Sequence, residues 1–225
     1  MSIYTPTPQE FDDWAATLDQ DILVYADKFP FVGYAQVLDE VVLLANARPG
    51  LAVLDLGIGT GNLAGRFLAR NCQGYGLDFS AKMLAAAQVK YPQLHLAQAD
   101  LLADWPAMLQ QAFDRTRFEV IVSGYTFHHF DLPTKVALLV RLAADHLVAD
   151  GRIVIGDIAF KNTAVRDAAQ QHWGDLWEEE DYWIADETLE TCHQAGLQVI
   201  YEQISSCGGV FAIQPVSYYA DKEQS

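Results

Sequence analysis

Three observations predict an α/β fold: a doubly wound, seven-stranded, mostly parallel sheet with helices on both faces and a C-terminal antiparallel hairpin. Short apolar runs recur at 51–56, 73–78, 93–98, 118–123 and 152–157, with the near-continuous hydrophobicity of strands buried on both faces. Helical periodicity separates most of them, over 62–70, 80–90 and 133–147, and strand–helix alternation implies parallel pairing. Segments 197–204 and 210–213 flank Ser206-Cys207-Gly208-Gly209, so the last two strands read as a hairpin.

Taken in order, the chain divides into an N-terminal helical cap, residues 1–48, and a second region, 49–225, the two forming one structural unit. Thr7-Pro8-Gln9-Glu10 is a helix start: Thr7 can cap, Pro8 suits the first helical position, and Glu10 completes a capping box. The helix carries Phe11, Trp14 and Leu18 at helical spacing, and a second, about 34–46, gathers Tyr34, Val37, Leu38, Val41, Leu44 and Ala45 on one face. These helices have no strand of their own to extend. They are expected to cross the carboxyl ends of the strands as a lid, with Trp14, Tyr25 and Tyr34 on its inner side. Ser80 is placed to cap the helix that follows it. Asp186 to Ala195 reads as a helix stopped by Gly196.

Composition bounds the function. The net charge is −16, with 14 Lys and Arg against 30 Asp and Glu, the opposite of the basic surface that binds phosphate backbones, so no nucleic-acid partner is expected. No stretch approaches the ~20 apolar residues of a membrane helix, and Met1 to Glu10 lack a secretory pattern. Three cysteines, Cys72, Cys192 and Cys207, show no paired spacing. These features fit a cytoplasmic protein without a disulfide framework, and no metal site is expected.

The motif that carries chemistry follows the first strand. Asp55-Leu56-Gly57-Ile58-Gly59-Thr60-Gly61-Asn62 lies where a doubly wound sheet binds ligands, at the carboxyl ends of its strands. Three glycines at alternate positions leave a narrow ledge that backbone can press against a ligand. A G-x-G-x-x-A match from Gly59 to Ala64 also fits a dinucleotide fingerprint. Asp55 opposes it: a carboxylate two residues before the first glycine repels a pyrophosphate and attracts an ammonium or sulfonium. Asp78 ends the second strand 21 residues after Gly57, where an acid accepts hydrogen bonds from ribose hydroxyls. Asp100 ends the third and can accept from a purine amino group.

The set Asp55, Gly57, Gly59, Gly61, Asp78 and Asp100, with the terminal hairpin, resembles the class I S-adenosylmethionine (SAM)-dependent methyltransferases over essentially the whole chain. The resemblance implies SAM as cofactor, S-adenosylhomocysteine (SAH) as product and a small-molecule methyl acceptor. It implies a glycine loop under the methionine and ribose, Asp78 on the ribose, and Asp100 toward the adenine amino group. Phe79, Leu101 and Ser123, beside these strand ends, join the cofactor set. Asp150-Gly151-Arg152 resembles the family's turn into strand five, with Asp150 where Gly is commoner. Residues 11–20 and 123–130 are similar to the small bacterial YrrT-like methyltransferases, which often carry Tyr where this chain has Leu18. An NAD-dependent oxidoreductase would explain the glycines and Asp78 but not Asp55 or the hairpin; a non-catalytic SAM-binding regulator would lack an acceptor pocket. A monomer and a homodimer fit equally.

Methyl transfer from a sulfonium needs mainly orientation, and a base only if the acceptor must lose a proton. His128 and His129, after the fourth strand, are the catalytic candidates, with loop packing as the competing role; Tyr125 is an equal candidate on the acceptor side. Asp157 could bind an acceptor amine. Residues 173–183 place Trp173, Trp177 and Trp183 beside the run Glu178-Glu179-Glu180-Asp181. They read either as an amphipathic helix with solvated acids or as a second lid in which Trp177 and Tyr182 wall the acceptor.

Overall fold

The structure is a computed structural model that describes residues 6–103 and 105–215. Its elements run α1 (Pro8–Trp14), α2 (Leu18–Val24), α3 (Tyr34–Leu44), β1 (Ala52–Leu56), α4 (Asn62–Leu68), β2 (Gln73–Asp78), α5 (Ala81–Lys90), β3 (His95–Gln98), α6 (Pro106–Phe113) and β4 (Phe118–Gly124). Then follow α7 (Leu132–Arg141), β5 (Leu147–Phe160), α8 (Thr163–Trp173), β6 (Trp183–Ile184), α9 (Ala185–Gln194), β7 (Leu197–Gln203) and β8 (Gly208–Pro215). The sheet order is β3-β2-β1-β4-β5-β8-β7. β8 pairs antiparallel with both β5 and β7, and the other neighbours on that path are parallel. The expected seven strands are therefore present, joined by a two-residue eighth, β6, that adds to the end of β5.

Both faces are covered because both faces of each central strand are apolar. Val53, Val120, Val122 and Val154 pack against Val37, Leu38 and Val41 of α3 and Leu63 and Phe67 of α4. Leu54, Leu56, Ile121, Ile153 and Ile155 face the opposite layer, where Leu109, Leu139 and Cys192 come from α6, α7 and α9. The N-terminal helical segment thus splits in function: α3 covers the sheet, and only α1, α2 and the loop up to Tyr34 reach past the strand ends.

Several sequence expectations need correcting. The first helix breaks after Trp14, because Asp21 draws in both the Trp14 indole N–H and the Thr17 hydroxyl, at 2.8 Å each, across the turn. The helix expected over 133–147 passes from α7 into a π turn, Leu142–His146, and β5 starts at Leu147 with a register shift opposite Phe118–Val120. Helices α6 and α8 stand where no helix was read. The 173–183 segment is not one amphipathic helix: Gly174, with φ 50° and ψ −115°, ends α8, and the chain runs on through a 3-10 turn and irregular backbone to β6.

Candidate active site

The ends of β1, β2, β4 and β5 open into a cavity of about 640 Å³ roofed by α1, α2 and residues 30–34. Asp55, at the end of β1, lines it while almost wholly buried, and neither carboxylate oxygen has a hydrogen-bond partner. Burial and then the Asp78 charge push its pKa up to about 8. A buried, unpartnered carboxylate is costly; one that faces a cavity calls for a cationic N–H donor.

The glycine loop is shaped by two different constraints. Gly57 has φ 70°, and a Cβ there would lie 2.3 Å from Thr126 Oγ1, so the loop is pressed onto the turn after β4. Gly59 has φ 54°, and a Cβ there would meet nothing nearer than Leu18 Cδ2 at 4.0 Å, so it would project into open cavity. Asp78 braces this ledge, its two oxygens accepting from the Gly59 and Ser80 N–H groups at 2.8 Å each. Ser80 caps α5 as expected, accepting from the Met83 N–H at 3.1 Å, but Asp78 is not left free.

The roof is fastened by acids. The Asp12 carboxylate accepts from the Ser80 hydroxyl at 2.6 Å and the Lys82 N–H at 3.1 Å. Asp19 accepts from Thr60 Oγ1 at 2.6 Å, Asn62 Nδ2 at 2.9 Å and Lys90 Nζ at 2.7 Å. Phe11 then lies between Phe79 and His129, ring centroids 5.1 and 5.5 Å away.

At the far end, the His128 imidazole meets Asp157 through Nδ1 at 2.6 Å. Asp157 is fully buried and also accepts from the N–H groups of His128 and Ile158 and from the Trp183 indole, so it cannot bind an acceptor amine. Burial alone would depress the His128 pKa, but the Asp157 carboxylate outweighs it and the net shift is upward. His129 is shifted down by burial and by His128. Its Nδ1 lies 3.0 Å from Glu180 Oε1, and His128 Nε2 lies 3.7 Å from Glu180 Oε2. Tyr125 takes a left-handed conformation, φ 54°, stacks 4.8 Å from Tyr34, and leaves its buried hydroxyl unpartnered.

Of the residues singled out from sequence, Asp55, Gly57, Gly59, Asp78, Phe79, Asp100, Leu101, Tyr125, His128, His129, Trp14 and Tyr34 line this cavity. Five lie elsewhere. Ser123 stitches β4 to β1 by donating to the Leu56 carbonyl at 2.6 Å. Gly61 sits against the Tyr91 ring at the start of α4. Tyr25 is exposed at the end of α2. Trp177 and Tyr182 pack on Phe29 and Phe160 in a separate aromatic cluster. Glu180, read as solvated, instead reaches the cavity with its side chain 12% exposed. Its pairing with histidines 51 and 52 residues away left no local signal.

The geometry can hold a ligand with a cationic amine at Asp55, a flat body along the Gly59 ledge, and hydroxyl or amino donors at Asp78 and Asp100; SAM has these groups. A family model described as a methyltransferase domain matches residues 53–151. The YrrT methyltransferase of Bacillus subtilis (strain 168) is 31% identical over 207 residues, covering 91% of this chain and 89% of that one. In fold, the chain is similar to DhpI solved with SAH, at a TM-score of 0.69 and 17% identity over 92% of this chain and 94% of that one. It is also similar to the magnesium protoporphyrin IX methyltransferase of Synechocystis PCC 6803 with bound SAH, at a TM-score of 0.66 and 17% identity over 92% and 100%. Fold and site define a class I SAM-dependent methyltransferase. Within that class, the chain belongs to the YrrT-like family.

Proposed function

We propose that the acceptor of this SAM-dependent methyltransferase is a small, largely apolar molecule without an anionic group. One observation carries this: one continuous cavity of about 640 Å³ runs from Asp55 to the histidines, within the size range of small-ligand pockets, and its charged lining is acidic. Asp55, Asp78, Asp100, Asp131, Glu178 and Glu180 border it, and no lysine or arginine is among the described residues that do. An anionic acceptor would enter against that field.

SAM supplies an already activated methyl group, so the chain's own task is placement and water exclusion. We assign Asp55 to the amino group of SAM, Asp78 to its ribose, and Asp100 to its adenine, with Phe79 and Leu101 against the base. Phe11, Trp14 and Tyr34 close the roof; the walls on the acceptor side come from Tyr125, Phe130 and Ile158. The His128, His129 and Glu180 cluster handles whatever proton the acceptor must lose.

The test is transfer from methyl-labelled SAM to cell extract fractionated into small molecules, RNA and protein, followed by matched neutral, cationic and anionic compounds. Label is expected in neutral or cationic small molecules. Label in RNA or protein, or a preference for carboxylates or phosphates, overturns the assignment.

A further inference from the structure

The acceptor end of the cavity holds a donor set that proton handling alone does not require. His128, His129 and Glu180 each offer one ligand atom, and these atoms all lie within 4.8 Å of one another. Donors around one ion bound at ~2.1 Å stand about 3.4 Å apart in tetrahedral geometry, so small side-chain rotations close the set. We propose that these three residues form a binding site for a divalent transition-metal ion, facing the methyl acceptor.

Three further features support it. First, the hydrogen bond of His128 Nδ1 to Asp157 leaves Nε2 as the ligand atom, the carboxylate–histidine arrangement that orients metal-bound imidazoles. Asp157 is itself held by three N–H donors, from His128, Ile158 and Trp183, so the ring is fixed before any ion arrives. Second, Glu180 leaves an exposed acidic run to enter the cavity, while Glu178 and Glu179 stay exposed. Third, Asp131, Glu178 and Glu180 line this end of the cavity, and the buried Lys135 behind it donates to the Asp181 carbonyl rather than to a carboxylate, so among the described residues acidic side chains outnumber the one nearby ammonium where a divalent cation would sit. Two imidazoles and one carboxylate suit Zn²⁺, Fe²⁺, Mn²⁺ or Co²⁺ and leave coordination positions open toward the cavity.

The inference deepens the small-molecule reading and rests on it for its chemistry. An acceptor hydroxyl, enol or thiol bound to the ion would give up its proton to solvent near neutral pH, as metal-bound water does. The acceptor class then narrows to oxygen or sulfur nucleophiles on an otherwise apolar body.

The test is direct binding of Co²⁺ to the metal-stripped protein without SAM, followed by visible absorption and calorimetry, with Zn²⁺ as competitor. One Co²⁺ per chain, displaced by Zn²⁺, is expected. Affinity should fall at least about tenfold in His129→Ala and Glu180→Gln, and about 10- to 100-fold in Asp157→Asn, whose carboxamide still fills the space. Circular dichroism establishes that each variant is folded; should Asp157→Asn fail to fold, the two half-buried positions carry the test. No saturable binding, or binding unchanged in both His129→Ala and Glu180→Gln, overturns the proposal. SAH binding by the wild-type protein without metal is measured alongside, so losing the metal site leaves the methyltransferase reading separately tested.

Discussion

Asp55 is the residue whose chemistry is most exposed to measurement. Its folded-state pKa of about 8 lies above the ordinary value of 3.8. The folded chain therefore holds this proton more tightly than the unfolded chain. The resulting stabilisation is full below pH 3.8, shrinks as pH rises from there toward 8, and is gone above it. A cationic amine beside Asp55 favours the carboxylate, so SAH affinity should rise with pH up to about 8. Calorimetry in two buffers of different ionisation heat should find about one proton released per SAH near pH 7. In Asp55→Asn the release and the pH slope should vanish, and binding should weaken by about 1.5–3 kcal/mol, roughly 10- to 150-fold. An unchanged pH slope would take Asp55 out of the site. Asp78→Ala should weaken SAH binding by a similar amount. It should also lower the melting temperature, because Asp78 braces the Gly59 and Ser80 N–H groups. The glycines separate the two effects. Gly57→Ala meets Thr126 and should cost about 2 kcal/mol of stability or more. Gly59→Ala has space, so beyond about 1–2 kcal/mol of backbone strain its main effect should be on SAH affinity. Equal losses of melting temperature and affinity in both variants would contradict this division.

Among the elements, α1 and α2 carry the sharpest consequence. Ile22 is the one buried residue of the two helices, and their attachment runs through Asp12 and Asp19 to the glycine loop and α5. An element so held opens more readily than the sheet, and ligand beneath it should add to its stability. Amide exchange over residues 8–24 should slow markedly with SAH. It should quicken by at least roughly threefold to tenfold without ligand in Asp19→Ala, which removes the partly exposed, solvent-screened hydrogen bonds from Thr60, Asn62 and Lys90. High protection without ligand, unchanged by SAH, would make these helices fixed cover. How far such elements could be read from sequence follows from how local their causes are. Asp55, Gly57, Gly59 and Asp78 form a pattern tied to one strand–turn–helix and the next strand, and their place at the cavity was legible. Tyr25 and Trp177 were not, because an aromatic residue in a cap does not declare which way it faces. The partnership of Asp157 with His128 spans 29 residues and that of Glu180 with His129 spans 51; both exist only once β5 and the loop before β6 are in place. Helix α8 buries none of its residues, α6 buries only Leu109, and β6 has two residues, so none of the three shows the continuous apolar run that made the central strands visible.

At the scale of the whole molecule, the acidic excess and the cavity act together. SAM is a cation and SAH a neutral zwitterion whose ammonium suits Asp55, whereas NAD carries a pyrophosphate, so a titration should give micromolar SAH binding and no NAD binding at the same concentrations. Tighter NAD binding would contradict the acidic lining as the selector. The repulsion involved is long-range, and raising salt from low to high should weaken the discrimination against anions more than SAH affinity itself. The sheet that holds this cavity has one topological peculiarity. β8, the last strand described, does not lie at an edge. It fills the slot between β5 and β7, with Val210, Phe211 and Ile213 fully buried. A chain emerging from the ribosome must therefore wait, with β5 unpaired on one side, until residues 208–215 have been made. Every strand that forms the SAM cleft is synthesised long before the strand that completes the sheet. A chain stopped after Ser206 would contain each cofactor-site residue named above and still present an open, apolar edge, the kind that recruits other chains. A chain that lacks β8 is thus a candidate for aggregation rather than for partial activity.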